Sequence, residues 1–202
     1  DGTALEQKEP YDPAEHPAYV ASAILLSAAF LEATINEFFS DCADKHSEIR
    51  KNLPSAELMG RLWMRNIPRT SKYPIIEKYH IALEISGTEK LNKSTNPYQD
   101  TKLLIELRNA LIHYEPENIL TSNSTPTESE QIHKFEKKFK GKFPLNPLTE
   151  LITVFYPEQM LGHGCALWAL RTAMAFSDAF FDSLELEPRY KKVRISVDNV
   201  VR

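Results

Sequence analysis

With 202 residues, 42% of them apolar and 26% charged, the chain is most simply one domain, large enough to bury a real core. A formal net charge of −4 excludes a global basic field of the kind that drives non-specific nucleic-acid binding, so any attraction for RNA has to be local. No uninterrupted apolar run approaches the length of a membrane span, and no signal peptide is visible.

Residues 1–16 are acidic and carry Pro10 and Pro13, which reads as an extended lead-in. Pro17 fits the first turn of a helix. From there to about Ala43, Val20, Ile24, Ser27, Leu31, Ile35 and Phe38 keep a helical period, widened by Phe30 and Phe39. Glu32 and Asn36, four apart, share one face of this apolar helix. They are either a solvated edge or a functional face on which Glu32 pairs with Arg108 across the bundle and holds its guanidinium in place. A second helix opens at Pro54 with Ser55 as its cap and runs to about Asn66. Arg61, Arg65 and Arg69 lie along it as a phosphate-tracking face or as a plain solvated one. Pro74 to Ser86 reads as a third helix with Ile75, Ile76, Tyr79, Ala82 and Leu83 inward, His80 beside the stripe and Gly87 as its stop.

The turn-rich stretch 88–97 leads into the segment around which the reading is organised, 101–117. Leu103, Leu107, Ala110, Leu111 and Tyr114 make one apolar stripe. Ile105 and Ile112 lie on another side, with Arg108 and Asn109, so this helix is expected to be buried on two sides, one against its own core and the other against a second element or a second chain. Pro116 stops it near Tyr114. Arg108, Asn109 and His113 then occupy its last turn and a half. Asn109 and His113 point the same way, with Arg108 about 100° round.

Residues 118–129 have the composition of an exposed loop. The stretch 131–143 follows as a short amphipathic helix, with Phe135 and Phe139 on one side and Lys134, Lys137, Lys138, Lys140 and Lys142 outward. Basic residues interleaved with aromatics can bind single-stranded RNA. The four-residue aromatic period favours docking of the phenylalanines on the body. Pro144 and Pro147 break the chain, and the β-branched stretch 151–156 is too isolated to establish a sheet. Gly162-His163-Gly164 is a turn, either a flexible cap or an anion-binding backbone. It precedes a last long helix from Cys165 to about Leu186, with Trp168 and Phe176 in the core. Residues 187–202 are basic, and Val193, Ile195 and Val197 alternate like a short strand. Cys42 and Cys165 form neither a metal nor a disulfide pattern, which points to a reduced, cytoplasmic setting. The fold expected is all-α, with a helical domain at 17–186 between the lead-in at 1–16 and a tail at 187–202 that forms a short strand or stays extended. No phosphate loop, paired Cys-x-x-Cys or His-Glu-x-x-His is present, so neither cofactor nor metal is expected.

Arg108-Asn109-Ala110-Leu111-Ile112-His113, at the end of a helix, resembles the Arg-x4-6-His motif of HEPN domains, and the long apolar helix at 21–39 looks like the opening helix of such proteins. The resemblance implies a HEPN-like antiparallel helical bundle with extra short helices, usually a homodimer. It also implies a metal-independent endoribonuclease of toxin–antitoxin or antiphage systems, with RNA as substrate and a cognate antitoxin or other regulatory protein as partner. Under it, Arg108, Asn109 and His113 are catalytic, Glu32, Asn36 and Tyr114 support them, and Lys134, Lys137, Lys138, Arg61 and Arg65 are candidates for holding RNA. Some HEPN toxins carry a modifiable tyrosine two residues after the motif histidine; here Tyr114 follows at once and Glu115 takes that place. The alternative is a non-catalytic HEPN-like module that binds a protein or nucleotide, with Arg108 tied to Glu32 or Glu106.

The chemistry fits the residue types. RNA carries its own nucleophile, the ribose 2′-hydroxyl. Histidine exchanges a proton near neutral pH, which suits His113 to general acid or base work. Arginine offers a permanent, forked charge for phosphate oxygens.

Overall fold

The computed structural model describes residues 15–69, 72–113, 134–149 and 154–193. It is mostly helical, and no strand occurs among the described residues. Among the described residues seven α-helices follow one another: α1 Glu15–Ala43, α2 Glu48–Asn52, α3 Ala56–Trp63, α4 Ile75–Ile85, α5 Tyr98–Ile112, α6 Lys134–Phe139 and α7 His163–Ser183.

The hub is α1 rather than α5. It touches α2, α3, α4, α5 and α7, because it is long and its apolar stripe is broad: Val20, Ile24, Leu31, Ile35, Phe38 and Phe39 are all buried. This helix is also long and apolar enough to cross a membrane by length and composition, which corrects the impression that no segment approaches that length. Its buried residues form the centre of the bundle's core. Along α1 runs α7, and the two meet in aromatic contacts. Phe38 meets Phe180 edge-on at 5.1 Å, and Tyr79 of α4 closes on Phe176 and Phe180 at 5.0 and 4.9 Å. Each such pair adds about 1 kcal/mol to the stabilisation from burial alone. Tyr79 is wholly buried, and its hydroxyl donates to the Leu31 carbonyl at 2.7 Å, so its polar atom is satisfied.

Close approach of α3 to the end of α1 depends on Gly60. A Cβ there would lie 2.5 Å from the Cys42 carbonyl oxygen. Between them, α2 is a single short turn whose start is fixed by Ser47, which accepts from the Arg50 amide at 3.1 Å. A five-residue helix shows too little periodicity to be read from sequence.

The C-terminal segment turns into a 3-10 helix at Arg189–Val193, docked on the body. Arg189 pairs with Asp41 at 2.6 Å and Glu37 at 3.4 Å, and the Tyr190 ring meets Phe30 at 5.2 Å. Burial raises the Asp41 carboxyl above its ordinary range, and Arg189 partly offsets this. Val193 closes that helix, and Ile195 and Val197, the rest of the expected strand, lie outside the described residues. So do residues 151–153, the first half of the stretch 151–156, and Tyr114.

Candidate functional site

Only part of α5 is held in the core. Thr101, Leu104 and Leu107 are fully buried, Leu103, Ala110 and Leu111 pack against them in part, and Ile112 is 49% exposed. Within the single chain, then, only one of the two sides is covered. One side faces the bundle, and the side carrying Ile112 is left open. The helix ends at Ile112, where His113 leaves helical geometry (φ −109°, ψ 65°) and its amide makes a last bond to the Asn109 carbonyl at 2.8 Å.

This ending gathers the motif on the surface. Arg108 is half-buried, while Asn109 and His113 are exposed. Arg108 Nη1 donates to Asn109 Oδ1 at 2.9 Å. The Asn109 side-chain oxygen thus holds the guanidinium rather than the imidazole.

The expected pairing of Glu32 with Arg108 does not occur. Glu32 and Asn36 instead accept from Lys78 of α4, at 3.0 and 3.1 Å. Lys78 is 1% exposed, so its ammonium is desolvated and needs both acceptors. A signal for it was present: Lys78 follows Ile75 by three and precedes Ala82 by four, a lysine inside an apolar stripe. The other candidate, Glu106, accepts from Lys138 of α6. Both carboxylates that might have neutralised Arg108 are therefore taken by lysines. Among the described residues no carboxylate lies within ion-pair reach of its guanidinium.

The candidate RNA-binding lysines divide. Phe135 and Phe139 are buried, against Tyr156 at 4.9 Å and Trp168 at 5.3 Å, so α6 is docked on the body as its aromatic period predicts. Lys138 is spent on Glu106, Lys134 sits over the Phe135 ring at 5.6 Å, and Lys137 is exposed. Arg61 and Arg65 are exposed on and just after α3, whereas Arg69 covers the Trp63 ring at 5.3 Å.

His80 is buried and stacked on Tyr98, with ring centroids 5.4 Å apart, and its Nε2 has no hydrogen-bond partner. Burial lowers its pKa; Lys93 and Lys90 push the same way, and Glu77 and Glu84 oppose them. Cys42 and Cys165 are buried free thiols, both pushed up to about 12 by burial, so neither is a nucleophile in the folded chain. Among the described residues no group of three or more His, Cys, Asp or Glu is placed to hold a metal ion.

A concave region away from the motif went unseen in the sequence. A cleft of about 700 Å³ lies between the start of α5, the segment 142–147 and α7. Gly162 and Gly164 are not a flexible cap but a packing requirement, since a Cβ on them would lie 2.7 Å from Asn146 Cα and 2.4 Å from the Pro144 oxygen.

Comparison with family models, curated proteins and solved structures finds no match to this chain.

Proposed function

We propose that this protein is a metal-independent endoribonuclease of the HEPN type, acting in the cytoplasm as a two-fold dimer, in toxin–antitoxin or antiphage defence. The observation that carries the proposal is the free charge of Arg108. A guanidinium at an exposed helix end, five residues before a histidine and without a carboxylate partner among the described residues, is available to a phosphate. A purely structural arginine would have been expected to hold Glu32 or Glu106.

In this reading His113 removes the proton from a ribose 2′-hydroxyl. The 2′-oxygen forms a bond to phosphorus, and the bond from phosphorus to the 5′-oxygen breaks. The leaving oxygen takes up a proton, giving a 2′,3′-cyclic phosphate and a 5′-hydroxyl. Arg108 stabilises the charge that builds on the phosphoryl oxygens. One imidazole serves poorly at both ends of the reaction. A second copy, packed on the face with half-buried Ile105 and exposed Ile112, supplies the second histidine. Lys137, Arg61 and Arg65 are the exposed cations left to steer RNA.

The non-catalytic module draws on one observation: Asn109 is engaged by Arg108, and so does not orient His113. The test is cleavage of RNA by the purified protein in excess chelator. Activity that His113→Ala abolishes supports the nuclease. A parent that cleaves nothing, yet binds a nucleotide or protein through Arg108, establishes the module instead.

A further inference from the structure

Between Glu57 and Glu77 the chain carries Arg61, Arg65, Arg69 and Lys72 and no carboxylate, in a protein whose net charge is −4. Helix α3 divides the start of this stretch into two faces. Ala56, Met59, Gly60 and Trp63 are buried, and Gly60 sets the helix directly against the end of α1. Leu58, Arg61, Leu62 and Arg65 follow one another at i, i+3, i+4 and i+7 on the opposite face. Beyond the helix Asn66 takes a left-handed conformation (φ 64°). Its amide donates to the Trp63 carbonyl at 2.9 Å, and the Ile67 amide donates to the Leu62 carbonyl at 3.0 Å. That pattern closes the helix with a fixed turn, which holds Met64 and Ile67 outward beside the arginines.

The cations of this face are unspent. Arg61 and Arg65 are exposed and make no hydrogen bond or ion pair among the described residues, and Arg69 only covers the Trp63 ring. On α6 and just after it, by contrast, Lys138, Lys140 and Lys142 are each matched by a carboxylate. Glu57, which opens α3, is tied to Arg50 at 3.3 Å. The apolar residues of the face are equally uncovered: Leu58 is 44% exposed, Met64 73% and Ile67 37%. Large aliphatic side chains left in water beside unpaired cations mark a contact surface. Both halves define the partner, which must be anionic at its surface and apolar beneath. Aliphatic side chains, unlike rings, give the bases of RNA nothing to stack on. These residues also project from one helix and its turn, so they form no groove in which a partner helix could lie. A bilayer needs no groove. Its acyl boundary takes up projecting aliphatic side chains, while arginine stems reach through it and leave their guanidinium groups among the phosphates.

We propose that the outer face of α3 and the turn after it dock on an anionic lipid surface. Leu58, Met64 and Ile67 enter the acyl boundary, and Arg61, Arg65, Arg69 and the exposed Lys72 meet the head-group phosphates. The attachment is peripheral, because the other face of the same helix stays packed on α1. The site is independent of the ribonuclease reading, whose Arg108 and His113 belong to the end of α5. It assigns Arg61 and Arg65 to lipid and leaves Lys137 to steer RNA.

The experiment is co-sedimentation of the intact protein with vesicles, one set of phosphatidylcholine alone and one with an equal part of phosphatidylglycerol, at low and at high salt. The expected result is binding to the anionic vesicles only, weakened by salt. An arginine near such a surface contributes roughly five-fold to partitioning, so Arg61→Gln with Arg65→Gln should lower binding about 25-fold. Met64→Ser with Ile67→Ser should lower it about ten-fold or more with every charge intact. These side chains are exposed, and unchanged thermal midpoints verify folding. If Ile67→Ser weakens the turn, Leu58→Ser on the helix itself takes its place. No binding to the anionic vesicles, or binding that either pair of substitutions leaves unchanged, overturns the proposal. If the parent ignores vesicles but holds single-stranded oligoadenylate, and Arg61→Gln with Arg65→Gln releases it, the face belongs to RNA instead. A parent that ignores both gives the face to an acidic protein and overturns the proposal equally.

Discussion

Two polar pairs of the bundle, Glu32 with Lys78 and Arg108 with Asn109, are built to opposite ends. Lys78 is 1% exposed, and two acceptors from α1 fix its ammonium. Arg108 lies at a helix end, bonded to a neutral amide one residue away. The first arrangement consumes a charge to fix where α4 meets α1. The second leaves a charge on offer. A long cation near a carboxylate is thus no guide to function until it is known which carboxylates other cations have already taken.

The largest effect expected from breaking this contrast is kinetic. If the exposed pair is the active one, His113→Ala should lower RNA cleavage by roughly 10²–10⁴-fold, with an unchanged thermal midpoint. Arg108→Lys should also fail substantially, since lysine keeps the charge but loses the planar fork. Single-turnover cleavage and circular dichroism on the same samples check both points. Variants that fold and cleave like the parent would remove the nuclease reading.

Next in size is the buried pair, where the two partners should behave unequally. Glu32→Gln leaves a buried ammonium without its counter-charge and should cost about 3 kcal/mol in denaturant unfolding. Lys78→Met removes the buried charge and leaves behind a carboxylate whose side chain is 38% exposed and can be hydrated. That change should cost about 1 kcal/mol or less. Equal losses would mean that the burial of Lys78, rather than its pairing, had been misjudged.

A smaller effect should appear with pH. His80 in the folded chain has its pKa lowered, chiefly by burial. Above the ordinary histidine range neither state binds the proton, and stability is unaffected. As pH falls through that range the unfolded chain takes up a proton that the folded chain refuses. Stability should therefore drop on acidification, by at most about 1.4 kcal/mol per pH unit. His80→Phe keeps the ring against Tyr98 and should flatten this slope in urea titrations between neutral and mildly acidic pH.

The smallest change belongs to α6. Lys138→Ala removes an ion pair whose partners are 40% and 35% exposed, and should shift stability by about 0.5 kcal/mol or less. Phe139→Ala, by contrast, empties a buried aromatic site against Trp168 and should cost about 3 kcal/mol. A reversal of that order would mean that charge, not burial, docks the helix.

The sequence disclosed the helices well where burial imposes a period. The end of α1 at Ala43, the span of α4, the docking of Phe135 and Phe139, and the core roles of Trp168 and Phe176 could all be read from spacing. It disclosed poorly what depends on distant pairing. Glu32 and Asn36 were recognisable as one polar face, but which cation they would meet is a matter of packing, and Lys78 is 46 positions from Glu32. The primacy of α1 over α5 was hidden for a similar reason. Apolar residues on two sides of α5 read as double burial, although Ile112 remains open. The cleft could not be read at all, because it depends on how 142–147 folds back over Gly162 and Gly164.

The two buried thiols offer a way to time the opening of the molecule. Cys42 belongs to the end of α1 beneath α3, and Cys165 to the first turn of α7. With their pKa pushed up to about 12, both are protonated and shielded in the folded chain. A maleimide or disulfide reagent can then modify them only during excursions that expose them. Pulsed alkylation read by peptide mass would assign each event to its own helix. Equal rates at the two positions mean that α1 and α7 come apart in one cooperative step. A faster rate at Cys165 means that the start of α7 frays on its own, a local breathing motion at the wall of the cleft.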